Sequence, residues 1–217
     1  MKTDSQLQHD VSDELTWEPA VHAAQIGVEA KDGVITLAGE VGSYAEKWAA
    51  ERAAQRVAGV MALAVDIDVK LNPLSKRSDA DIARSAENVL EWMAALRDGC
   101  VKVIVEDGWI TLSGEVDWHY QRQAAVDAVC HLLGVTGVSD QIAIKPDAPF
   151  NAIKSDIEAA IKRRVDGHAN TVHVAVHDAE VTLSGTIRDW SERDLVTHAA
   201  WCTPGVRRVI DRLTVAS

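Results

Sequence analysis

One ten-residue phrase occurs three times in this chain. Asp107-Gly108-Trp109-Ile110-Thr111-Leu112-Ser113-Gly114-Glu115-Val116 has a copy at Asp32–Val41, 75 residues earlier, and another at Asp178–Ile187, 71 residues later. Recurrence at that period means small stacked units rather than one continuous core. Units of roughly 70 residues lie near the lower size limit for an independent domain and are expected to lean on neighbours or partners.

Hydrophobic periodicity orders each unit as α-β-β-α-β. In the first, Leu7, Val11 and Leu15 form one stripe of a helix from about Asp4 to Thr16, and Pro19 ends it. Ile26, Val28 and Ala30 alternate as a strand, Asp32-Gly33 supplies a two-residue hairpin turn, and Val34 to Ala38 returns. Gly39 reads as the strand exit. Ser43-Tyr44-Ala45-Glu46 is a capping box for a second helix to about Ala58, with Ala49, Ala53 and Val57 inward. Gly59 stops it, and Val60 to Val69 forms a last strand.

The second unit repeats this with Ile82, Ala86 and Leu90, then Val101, Val103 and Val105, then Ala124, Ala128 and Leu132. The third uses Ile153, Ile157 and Ile161, then Val172, Val174 and Val176, with Asp189-Trp190-Ser191-Glu192 opening its second helix. Ala179 replaces the turn glycine there, which predicts a looser turn. Polar linkers at Asn72–Ser78 and Lys145–Pro149 place the units at 1–71, 78–146 and 150–217. The fold class is α+β.

Charge narrows the partners. The formal net charge of −11 lacks the basic footprint of a nucleic-acid binder and disfavours adsorption to anionic membranes. It is uneven: residues 1–74 carry 6 basic and 12 acidic side chains, residues 147–217 carry 9 and 10. The first ten residues show no apolar h-region, and no run reaches membrane-span length, so a cytoplasmic protein is expected. Cys100, Cys130 and Cys202 lack paired spacing and are expected to be buried free thiols.

The repeated D-G-x-[IV]-T-L-[SA]-G-x-[VI] phrase and the later pairs Gly59-Val60, Gly134-Val135 and Gly205-Val206 resemble the BON domain family of bacterial osmotically inducible and nodulation-type proteins. The resemblance spans nearly the whole chain as three tandem copies. It implies a three-stranded mixed sheet with two helices on one face, and no catalysis. It also implies binding to phospholipid or other envelope components, and links to osmotic or other stress. Many members are exported.

Nothing in the residues adds chemistry to that. The glycines lack phosphate-loop spacing, no nucleophile has a paired His, and Asp66 and Asp68 alternate outward as solvated carboxylates. His173 and His177 project from one strand face roughly 13 Å apart, too far to share a zinc ion even with His168 nearby. No cofactor and no metal site is expected.

Tryptophan is the unusual residue, seven against one Phe. Trp17 and Trp92 are equivalent and expected to pack beneath the first helices. Trp48 and Trp118 have polar counterparts, so partial exposure is expected. Trp109, Trp118, His119 and Tyr120 are the candidate protein-partner contacts, with packing between units the competing use. Lys162, Arg163, Arg164, Arg207 and Arg208 are the candidate contacts for a lipid headgroup. The predicted role is a non-enzymatic binding or scaffolding protein for a protein partner, with peripheral phospholipid binding as the alternative.

Overall fold

The computed structural model describes residues 2–145, 154–164 and 172–215. The first unit runs α1 (Asp4–Trp17), a 3-10 turn (Ala23–Gln25), β1 (Ile26–Lys31), β2 (Val34–Val41), α2 (Tyr44–Arg56) and β3 (Ala62–Val69). The second runs α3 (Asp79–Glu91), β4 (Val101–Glu106), β5 (Trp109–Val116), α4 (His119–Cys130) and β6 (Gly137–Ile144). The third runs α5 (Lys154–Arg164), β7 (Val172–His177), β8 (Glu180–Ile187), α6 (Trp190–Trp201) and β9 (Arg208–Val215). In every sheet the middle strand is the second in sequence, antiparallel to the first and parallel to the third. The helix between the two parallel strands is the crossover that such a pair requires.

The first helices bury the expected stripes: Leu7, Val11 and Leu15 in α1, Ile82, Ala86 and Leu90 in α3, Ile157 and Ile161 in α5. Ile153 lies outside the described residues. Trp17 and Trp92 are not beneath these helices. They are 84% and 89% exposed, because each sits two residues beyond the last buried leucine and so about 200° around the helix from it. In α4 the buried positions are Gln121, Ala125, Val126, Val129 and Cys130, one residue on from the expected Ala124 and Ala128. Ala124 and Ala128 are half-buried instead. A helix packed on two sides carries apolar residues all round, and periodicity alone then misplaces the stripe.

The repeated phrase continues as strand beyond its glycine, through Val41, Val116 and Ile187, so the glycine is not an exit. Gly39 faces Ile26 across the sheet, and a Cβ there would lie 2.1 Å from the Gln25 carbonyl oxygen. Gly114 meets the Cys100 carbonyl at the same 2.1 Å. Both have positive φ, 151° and 134°. Close backbone approach, rather than chain reversal, demands glycine at this place.

The hairpin turns differ as their residues dictate. Asp32 and Gly33 have φ of 51° and 77°, Asp107 and Gly108 52° and 78°. Both central residues therefore have the positive φ that a type I′ turn needs. An aspartate at the start of the first helix clamps each turn. Asp4 accepts from the Asp32 and Gly33 N–H groups, and Asp79 from Asp107 and Gly108 at 3.0 and 2.9 Å. In the third unit Asp178 keeps a positive φ of 52° while Ala179 leaves that region, and the loop stays two residues long. Of the three free thiols only Cys130 is buried. Cys100 is half-buried, and Cys202, at the C-cap of α6, is exposed.

Candidate functional site

The second helices of the three units meet, and an aromatic at the first position of each helix makes the join. Tyr44 of α2 packs on the core of the second unit and interacts with the Val138 backbone. His119 of α4 stacks on Trp201 of the third unit, ring centroids 4.4 Å apart and planes 15° apart. Trp190 of α6 packs on the core of the first unit. The contacts run from first to second, second to third, and third back to first. A head-to-tail contact that returns to its start closes a ring.

Around this junction the helices line an open pocket of about 760 Å³ whose walls include Trp48, Arg52, His119, Gln123, Asp194 and Trp201. The Arg52 guanidinium stands 5.7 Å from the Trp48 ring centroid, and Arg193 stands 4.5 Å from that of Trp190. Burial raises the carboxyl pKa of Glu51 and of Asp194, against Lys47 in the first case and Arg52 and Arg193 in the second. Burial, with Arg122 and His198 nearby, lowers that of His119. Burial also pushes the Cys130 thiol up to about 11, where it is an inert neutral group.

Below the junction, each second helix opens on a buried third residue that holds the preceding chain. Glu46 accepts from the Gly42 and His22 N–H groups and pairs with the His22 ring at 2.7 Å. Gln121 accepts from Asp117 and Trp118 and donates to the Ala95 carbonyl. Glu192 accepts from the Arg188 N–H at 2.7 Å. Units two and three add an arginine–aspartate pair under the sheet: Arg122–Asp140 at 2.6 Å and Arg193–Asp211 at 2.5 Å. These groups are structural braces.

Two smaller grooves occupy equivalent places between first helix and first strand. One of about 630 Å³ runs past Leu15, Ile26 and Val28, and one of about 450 Å³ past Leu90, Val101 and Val103. Among the described residues no group of three or more His, Cys, Asp or Glu is placed to hold a metal ion. His168 lies outside the described residues. No described helix is long and apolar enough to cross a membrane.

A family model, the BON domain, matches residues 3–70, 78–146 and 151–217. The chain belongs to the BON domain family. No curated protein matches it. Among solved structures it is similar to CdsD, a structural protein of the type III secretion system of Chlamydia trachomatis. That match has 17% identity over 96% of this chain and 91% of that one, with a TM-score of 0.27. The C-terminal domain of CdsD is similar at 16% identity over 100% of both chains, with a TM-score of 0.27.

With the helices turned inward, each BON domain displays the open face of its sheet. On the second, Trp109 is 49% exposed and Ile104 56%. The Trp109 ring lies flat over Gly137, where a Cβ would come within 2.3 Å of it, and its indole N–H donates to Ser139 Oγ at 2.8 Å. The candidate partner contacts do not form one patch. Trp109 begins β5 and Trp118 follows its end, so eight residues of strand set them roughly 25 Å apart. Trp118 is the half-buried N-cap of α4, His119 is taken up by Trp201, and Tyr120 remains exposed.

The basic candidates divide as well. Lys162 and Arg163 are exposed near the end of α5, and the side chain of Arg164 lies outside the described residues. Arg207 is exposed just before β9, and Arg208, on it, pairs with Glu180 at 3.5 Å. Of the junction aromatics, Tyr44 and Trp190 escape sequence reasoning, whereas His119, a candidate contact, takes the competing use of packing between units. Their shared register, one residue past each cap, was the available signal.

Proposed function

We propose that this chain is a non-enzymatic scaffold of three BON domains that engages a protein partner. One observation carries this reading: a held aromatic anchor, Trp109, on the open face of the central sheet, which also exposes Ile104. A ring fixed by its own hydrogen bond loses little entropy on docking, and aromatic anchors dominate protein interfaces. The locked junction supports the scaffolding half, since it holds three different faces in fixed relation. A cytoplasmic setting and a role under stress complete the proposal, the latter by analogy with the family.

Affinity capture from a bacterial lysate tests it. The wild type should retain a partner that both Trp109→Ala and Gly137→Ala release, the second variant displacing the ring without deleting it. Equal retention by all three proteins would remove the reading. Peripheral phospholipid binding is the second reading, supported by the exposed Lys162, Arg163 and Arg207. Salt-sensitive flotation with anionic vesicles, lost on reversing those charges, would favour it instead.

A further inference from the structure

The open faces of the first and third BON domains carry opposite charge. On the first sheet the outward row reads Glu29–Thr36–Ala64, then Gly27–Ala38–Asp66, with Glu40–Asp68 beyond. Its centre is small and smooth. Four carboxylates surround it, offset by Lys31 and by Lys70, which pairs with Glu40. On the third sheet the rows read His177–Glu180–Arg208, Ala175–Thr182–Ile210 and His173–Ser184–Arg212. The centre is uncharged, and the rim sets Arg208 and Arg212 against Glu180, with Asp178 beside His177 at the turn. Asp66, Asp68, Arg208 and Arg212 are all exposed.

We propose that the acidic face of the first domain docks on the basic face of the third domain of a second copy of this chain. The two faces cannot meet within one copy, because the helix junction turns both outward. Donor and acceptor faces are different surfaces, so the contact is heterologous and propagates head to tail. Its size sets its strength. Three strands of about six residues span roughly 20 by 14 Å, far below a standard interface, so association is transient and salt-labile.

Sedimentation of the full chain over a concentration series, at low and at high salt, tests the proposal with two double variants. D66K/D68K leaves the chain with two cationic faces, and R208E/R212E leaves it with two anionic ones. The wild type should gain mass with concentration at low salt, and its association constant should fall about tenfold or more at high salt. Each variant alone should stay monomeric. An equal mixture of the two should associate again, because one supplies each native face. Circular dichroism of each variant confirms that it is folded.

A wild type that stays monomeric throughout overturns the proposal. So does association that survives both reversals, a mixture that fails to recover, or association abolished by Trp109→Ala instead. A monomeric wild type that binds anionic phospholipid vesicles through Arg208 and Arg212 likewise overturns it, by giving the basic face a different occupant. Retention or loss of a captured partner by Trp109→Ala is read separately.

Discussion

His119 of the second domain and Trp201 of the third lie face to face at 4.4 Å, and this stack is one of three joins that close the helix junction. Its imidazole is held below the usual histidine pKa, first by burial and then by Arg122 and His198. Between the lowered folded value and the ordinary one near 6.5, the unfolded chain binds more protons than the folded chain. Stability therefore rises with pH across that window and is lost on acidification. His119→Phe keeps a ring against Trp201 but has no proton to gain. Thermal unfolding between about pH 5 and 7 should show a shallower slope in the variant than in the wild type.

The same junction predicts how the protein unfolds. Three BON domains of this size, joined only by linkers, would melt separately. Joined through Tyr44, His119 and Trp190, they should melt in one transition. Trp190 packs on the first domain's core while belonging to the third, so Trp190→Ala should cost about 2–3 kcal/mol. The variant should also split the calorimetric trace into two or more steps. A single step at a lower midpoint would mean the closure is not what couples the domains.

The element order, hairpins and first-helix stripes were legible because each rests on local chemistry: Leu7, Val11 and Leu15 on one face, Asp32-Gly33 in a turn. What was not legible depended on the neighbouring domain or on the exact phase of a helix. The stripe of α4 was placed a residue early because that helix is apolar on its junction side too. Trp17 and Trp92, equivalent in the repeat and expected beneath the first helices, lie outside because about 200° of helix rotation separates them from Leu15 and Leu90. The candidate contacts near Trp118 suffered from adjacency in sequence. Trp118, His119 and Tyr120 are consecutive, yet one caps a helix, one stacks between domains and one faces solvent.

Glu51 offers a charge test of the pocket. Burial raises its pKa, partly countered by Lys47, so the charged form is disfavoured in the folded state. For a carboxyl with a raised folded pKa, stability falls as pH climbs from the ordinary value through the folded one. The penalty sets in above the ordinary carboxyl value and is complete above the folded one. Glu51→Gln keeps the shape and removes the charge, and should raise the midpoint of thermal unfolding at pH 7 while leaving it nearly unchanged at pH 4. An unchanged midpoint at pH 7 would mean that water reaches the carboxylate.

The glycine of the repeated phrase gives the sharpest contrast. At Gly114 an added Cβ meets the Cys100 carbonyl at 2.1 Å, and the atom it strikes is backbone held by the Glu115 N–H, just before β4. Gly99 also has a positive φ, 70°, but nothing lies within 4 Å of a Cβ built there. Gly99→Ala should therefore cost only the left-handed conformation, about 1 kcal/mol. Gly114→Ala must spread the β4–β5 ladder as well, and on the order of 3 kcal/mol or more is expected. Chemical denaturation of the two variants separates these effects. If they lose equal stability, conformation alone accounts for the conserved shape of the phrase across the three copies, and the close strand approach does not.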